Sequence, residues 1–322
     1  MSFNRKYISL AVDKVKERQS RNQELQSERK YEIMQKIPEY AQLTLRLADT
    51  MKTVVSLVAL KDPEAVEKAR KAADDNIAAQ KQIKELLVKN GYPADYLEPI
   101  YSCTACRDTG TVNGDWCSCV RKIACSLAAE ELNRKSPLKL CSFDSFDLSM
   151  YSSKPDSVFK RPQNEIMKDN LEVCKEFAEN PGNGLFMIGP TGLGKTHLSL
   201  AAANRLIEKG MSVVYNSVPD LLRIISGEQF NRTEGDTLSV VNDCDLLILD
   251  DLGAENISDY NTSLLYQIIN ARISCRRSLI VNTNLSMKDI KSLYQDRITS
   301  RLLSLRVLFF CGDDNRLKTA KR

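Results

Sequence analysis

The stretch Gly189, Pro190, Thr191, Gly192, Leu193, Gly194, Lys195, Thr196 and His197 stands between an apolar run, GLFMI, and an amphipathic one. Glycines there let a backbone turn tightly and aim its amides at phosphate oxygens, and the helix that follows adds a favourable dipole for an anion. Lys195 is placed to neutralise the β- and γ-phosphates of a nucleotide, and the Thr196 hydroxyl to ligate magnesium. A second run, LLILDD at Leu246–Asp251, describes a buried strand delivering two carboxylates at its C-terminal edge, where ligands bind in open α/β sheets. Asp250 suits the magnesium-associated carboxylate, and Asp251 the group that polarises an attacking water. Many P-loop ATPases carry glutamate at the second position. Aspartate is one methylene shorter, so slow or partner-dependent turnover is expected. A third run, SLIVNTNLS, ends on Asn282, Thr283 and Asn284, of which Asn284 can hydrogen-bond the γ-phosphate or the water.

A second chemistry is written in CTACRDTGTVNGDWCSC. Cys103 and Cys106 are separated by two residues, and Cys117 and Cys119 follow after a ten-residue loop with two glycines. Four thiolates gathered by one tight loop match tetrahedral zinc in a closed, structural site. Cys125 could substitute for one of them. The single histidine, His197, lies inside the P-loop helix and is read as outside the ligand set. Cys141, Cys174, Cys244, Cys275 and Cys311 are scattered in apolar surroundings and are read as core thiols.

The elements that must position these groups fall into distinct regions of the 322-residue chain. From Val12 to Asn90 the composition is helical, and Pro38 and Pro63 divide it into separate helices. The first forty residues are too polar to bury much, which predicts packing only against a partner or another copy. From about Pro162 the pattern changes to short apolar strands (GLFMIG, MSVVYN, DLLILD, SLIVNTN, RVLFF) alternating with amphipathic helices, which implies a parallel sheet covered on both faces. The boundaries expected are a helical partner-binding region at 1–100, a zinc module at 101–135, a linker at 136–160 and an α/β ATPase domain at 161–322. No run of 18 apolar residues exists, and the N-terminus carries charges where a signal peptide needs an apolar core, so a cytoplasmic protein away from membranes is expected. The net charge of +4 is too mild to argue for nucleic acid, although residues 1–36 hold nine basic against five acidic side chains.

The order of the P-loop, LLILDDLGAE, YQIINARI, NTNLS, DRITSRLLS and FFCGDDNR resembles the AAA+ ATPases of the DnaC/DnaI helicase-loader and IstB-like family, across roughly residues 160–318. The resemblance implies an AAA+ fold with a reduced lid, ATP with Mg2+, and Asn284 as sensor 1. It also implies Arg301 as an arginine finger acting on a neighbouring subunit, with Arg297 as its rival, and Arg316 as a sensor 2 arginine. Its implied partners are a DnaB-type replicative hexameric helicase, single-stranded DNA and further copies of the chain assembled through the ATP site. Within VPDLLRIISGEQFNRTEGD, Arg223 and Arg232 are candidates to contact phosphates. Neither a kinase-type substrate lid nor long pore elements are evident, so an ATPase that times an assembly step is the expected activity. An IstB-like transposition helper that binds transposase and duplex DNA, and a non-hydrolysing adaptor, are the competing expectations.

Overall fold

The computed structural model describes residues 5–60, 65–135, 141–230, 235–294 and 296–314. In chain order these form α1 (Arg5–Lys36), α2 (Pro38–Leu60), α3 (Ala65–Lys89), β1 (Thr111–Val112), β2 (Asp115–Trp116), α4 (Ser118–Leu132), α5 (Gln163–Glu179), β3 (Gly184–Ile188), α6 (Lys195–Glu208), β4 (Val213–Ser217) and α7 (Val218–Gln229). They continue with α8 (Thr237–Asp243), β5 (Leu246–Leu252), α9 (Asp259–Ser274), β6 (Ser278–Thr283), α10 (Met287–Leu293), α11 (Asp296–Leu303) and β7 (Arg306–Phe309). The chain divides into two compact units, residues 12–117 and residues 1–11 with 118–322.

In the larger unit β3 to β7 form one parallel sheet in the order β4-β5-β6-β3-β7. Every residue of β3 and β6 is buried, as their unbroken apolar runs require of central strands. Helix α6 packs on β4, β5 and β6, and α7 and α9 pack on the same sheet. This is the helix-covered parallel sheet that the alternating pattern predicts. Because β6 lies between β5 and β3, the C-terminal ends of the three strands are neighbours. Ile188 is level with Thr283, and Leu249 with Val281, so the loops after all three strands open onto one edge.

The smaller unit is built on helices. Ile33 and Ile37 with Tyr40 and Leu87 form a buried cluster, backed by Tyr92 and Tyr96. Glu32 accepts hydrogen bonds from Lys36 at 2.7 Å, Tyr92 at 3.0 Å and Tyr96 at 2.8 Å. The first forty residues therefore do contribute to a core of their own, contrary to the expectation from their polarity. Ile33 and Ile37 lie four positions apart, one turn of helix, so both reach the same cluster although α1 as a whole is polar. Pro38 opens α2, where its missing N–H costs nothing; Pro63 lies outside the described residues.

Candidate active site

The sheet edge assembles the site. Gly189 follows β3 directly, and Gly194 caps α6 in the left-handed region at φ 88°, where a Cβ would lie 2.6 Å from the Phe146 ring. No side chain caps the N-terminus of this 14-residue helix, so its first amides are available to an anion. Lys195 is buried and donates to the carbonyls of Gly189 (2.6 Å) and Pro190 (2.7 Å) and to Asn284 Oδ1 (2.8 Å). Asn284 Nδ2 in turn donates to Asp251 Oδ1 at 3.2 Å. A cavity of about 520 Å³ is lined by Thr191, Gly192, Leu193, Gly194, Lys195 and Thr196, with His197, Asp251 and Asn284 beside them. Uncapped helix amides, one lysine and a loop of glycines suit a polyphosphate.

Asp250 sits beneath this cavity, 3% exposed, and accepts four hydrogen bonds. Oδ2 accepts from the Thr196 hydroxyl at 2.9 Å and the Tyr215 hydroxyl at 2.7 Å. Oδ1 accepts from Asn282 Nδ2 at 3.0 Å and the Asp251 amide at 3.1 Å. Burial and the facing Asp250 carboxylate push the Tyr215 phenol well above its usual range, so it remains a donor. The adjacency of a threonine hydroxyl and a held carboxylate fits a magnesium ion, an oxygen-ligand cation that keeps several of its waters. Asp251, by contrast, faces the cavity from the left-handed region at φ 55°, where β5 slips register against β6.

The two candidate finger residues lie elsewhere. Arg297 is exposed and Arg301 half-buried, one turn apart on α11, and neither lines the cavity. Arg316 and Arg232 lie outside the described residues. Arg223 pairs with Asp220 on the same helix at 3.0 Å.

The thiols of Cys103, Cys106, Cys117 and Cys119 all lie within 4.8 Å of one another, and Cys103 and Cys117 are 3.7 Å apart. A tetrahedron of sulfurs about 2.3 Å from zinc has edges of about 3.8 Å, so the set could hold that ion. The hairpin β1–β2 brings the halves together through an Asn113–Gly114 turn with φ 54° and 87°, the combination a two-residue hairpin loop demands. Asp108 braces the first pair, accepting from the amides of Ser102 at 2.8 Å and Cys103 at 3.0 Å and pairing with Arg18 at 2.7 Å. Cys125 is not in this cluster; it is buried beside Ser212 and Val240, and burial pushes its thiol up to about 12. Cys174, Cys244 and Cys311 are buried and Cys141 half-buried, whereas Cys275 is exposed at the C-cap of α9 and is not a core thiol. A helix end presents its capping side chain to solvent even when the neighbouring sequence is apolar.

Residues 157–317, half of the chain, match the family described as IstB-like ATP binding protein. The chain belongs to that family. Among relatives of this IstB-like protein, the replicative helicase loader DnaC of Buchnera aphidicola subsp. Acyrthosiphon pisum is 33% identical over 50% of this chain and 63% of its own length. The Escherichia coli K12 protein of the same name is 31% identical over 43% and 58%. The chain thus spans less than two thirds of the length of these relatives. The crystal structure of the DnaC helicase loader aligns with a TM-score of 0.46 at 24% identity, over 55% of this chain and 99% of that one. AMPPCP-bound DnaA from Aquifex aeolicus aligns with a TM-score of 0.43 at 26% identity, over 49% and 50%.

The nucleotide of an IstB-like protein is ATP, and its site here includes residues that pattern reading passes over. The segment expected as linker runs across the P-loop: Phe146 and Tyr151 are buried against it, and the Tyr151 hydroxyl donates to the Leu193 carbonyl at 2.9 Å. His197 bonds Ser145 at 3.1 Å and the Ser142 carbonyl at 2.9 Å, which holds that segment in place. Tyr215 and Asn282 sit inside apolar strands, where only their polarity marks them. Among the described residues no helix is long and apolar enough to cross a membrane.

Proposed function

We propose that this chain is a cytoplasmic, ATP-dependent loader that binds a DnaB-type replicative hexameric helicase and helps place it on single-stranded DNA as replication begins. The observation that best supports this is the match to proteins named replicative helicase loaders over the half of the chain that carries the nucleotide site. ATP hydrolysis is slow and depends on assembly. Lys195 neutralises the terminal phosphates, Asp251 polarises the attacking water, and Asn284 aligns both. Thr196 and Asp250 would hold Mg2+, which neutralises phosphate charge when bound. Arg301, or its rival Arg297, completes the site of a neighbouring copy, and Arg316 reads the nucleotide in its own. Cys103, Cys106, Cys117 and Cys119 hold a structural zinc, which stabilises a module too small to bury a core. Residues 1–100 and 101–135 grip the helicase, residues 136–160 connect, and residues 161–322 are the ATPase domain.

A second reading, a transposition helper acting with a transposase on duplex DNA, is favoured by the IstB-like family match alone. One experiment separates the two. Full-length protein is mixed with a purified DnaB-type helicase and forked DNA, with ATP or ADP, and unwinding is followed. ATP-dependent loading that Lys195→Ala abolishes is expected. No association with the helicase, with transposase retained on duplex DNA instead, would select the second reading. Full loading by both Lys195→Ala and Asp251→Asn would leave only a non-hydrolysing adaptor.

A further inference from the structure

Asp251 is held in an unusual place, and the holding does not come from the nucleotide loop. Its backbone occupies the left-handed region at φ 55°, uncommon for a residue with a Cβ although aspartate enters it more readily than most. Four residues on, Glu255 is buried at 8% exposure. Its Oε2 accepts the Gly253 amide at 2.8 Å, and its Oε1 accepts the hydroxyl of Tyr294, itself 1% exposed. The turn between closes through the Ala254 amide on the Asp251 carbonyl at 3.0 Å. Gly253 must be glycine: at φ 100° a Cβ would lie 2.3 Å from the Leu285 methyl. Thr283 fastens the other flank, donating to the Leu252 carbonyl at 2.7 Å.

We infer that Glu255 is the positioning residue for Asp251: its two oxygens brace the strained turn against Tyr294, and so aim the Asp251 carboxylate into the nucleotide cavity. A buried carboxylate met by two neutral donors is an expensive way to close a turn, because its desolvation is repaid only in part. An apolar side chain would fill the space at lower cost. What it would not do is join an amide at position 253 to a fixed point across the fold. Tyr294 is such a point: its amide caps α10 on Ile290 at 2.9 Å, and its ring is enclosed. Burial and the Glu255 carboxylate also raise the phenol above its usual range, which keeps it a donor. Glu255 does not line the nucleotide cavity, so its effect on the reaction passes through Asp251.

This inference rests on the reading of Asp251 as the water-polarising group, and the test separates the two. Full-length Glu255→Ala, Glu255→Gln and Tyr294→Phe are compared with the parent protein for ATP affinity, kcat and KM. A misaimed base lowers kcat without weakening binding, so Glu255→Ala is expected to lose about tenfold in kcat, with ATP affinity within about twofold. Glutamine can accept from Gly253 and donate to the Tyr294 oxygen, so Glu255→Gln should recover to within about threefold of the parent. Tyr294→Phe should fall between them. An unchanged kcat in folded Glu255→Ala, a parallel loss of ATP affinity, or a glutamine variant as slow as the alanine would overturn the inference. If Glu255→Ala does not fold, Tyr294→Phe decides alone, since the ring is kept: a lower kcat at unchanged affinity supports the brace, and an unchanged kcat refutes it. If the parent protein shows no turnover even when mixed with a purified DnaB-type helicase and single-stranded DNA, the assignment of Asp251 fails. The brace itself is then judged by hydrogen exchange at the Gly253 amide, accelerated in the variants if it exists and unaltered if it does not.

Discussion

Tyr215→Phe removes one oxygen and nothing else. The ring keeps its place on β4, next to β5, while Asp250 loses one of its four donors. The lost bond is 2.7 Å long and runs to a buried carboxylate. Hydrogen bonds to charged groups contribute about 1.5–3 kcal/mol net, so about 2 kcal/mol of stability should go. For a unit of this size each kcal/mol moves the melting temperature by roughly 2–4 °C, giving an expected fall of about 4–8 °C. The phenol is held protonated by burial and by Asp250, so the loss should be the same at neutral and mildly alkaline pH. Calorimetric melting of parent and variant without nucleotide measures it. The control is the Asp250→Ala background, where removing the hydroxyl should cost almost nothing, because the partner is already gone. A melting shift under about 1 °C, or an equal shift in both backgrounds, would show that Tyr215 does not hold Asp250.

Lys195→Ala leaves the sheet intact but removes the cation at the uncapped helix end, and ATP affinity measured by calorimetry should fall by roughly a hundredfold or more. Arg301→Ala is expected to abolish cooperative ATP turnover while ATP binding to the monomer stays nearly unchanged; normal turnover would remove the trans-acting role. Metal analysis of fresh, reduced protein should find about one zinc per chain, and Cys103→Ser should lower it; none in the parent would exclude the closed site. Bonds from Lys36, Tyr96 and Tyr92 hold Glu32 down at about 2, against an ordinary 4.5. A depressed carboxylate contributes stability above its unfolded value, so the helical unit should weaken as pH falls from 4.5 towards 2, and a Glu32 NMR titration near 4.5 would contradict this.

Some of this was legible in the order of residues. The P-loop and the LLILDD strand are local patterns, and a loop's backbone follows from glycine placement and the strand on either side. The parallel sheet follows from apolar runs of strand length alternating with helices, because strands buried on both faces leave no polar side to show. The hairpin within the thiol segment is also readable, since Asn113–Gly114 is a turn signature. Tertiary packing overrides local composition at two places. Average polarity hid the core that Ile33 and Ile37 form with Leu87, and an apolar neighbourhood hid the exposure of Cys275.

The sequence by itself determined which residues could carry phosphate, metal and thiolate chemistry, and that a helix-covered sheet would present them. It did so because those signals need only neighbours a few positions apart. The tertiary structure alone decided that β6 lies between β5 and β3, which sets Asn284 between Lys195 and Asp251. It likewise decided that Tyr215 reaches Asp250, that Phe146 and Tyr151 close over the P-loop, and that Glu255 meets Tyr294. Each of those pairings joins residues far apart in the chain, and which distant side chain arrives is fixed by strand order and register, which local periodicity does not encode.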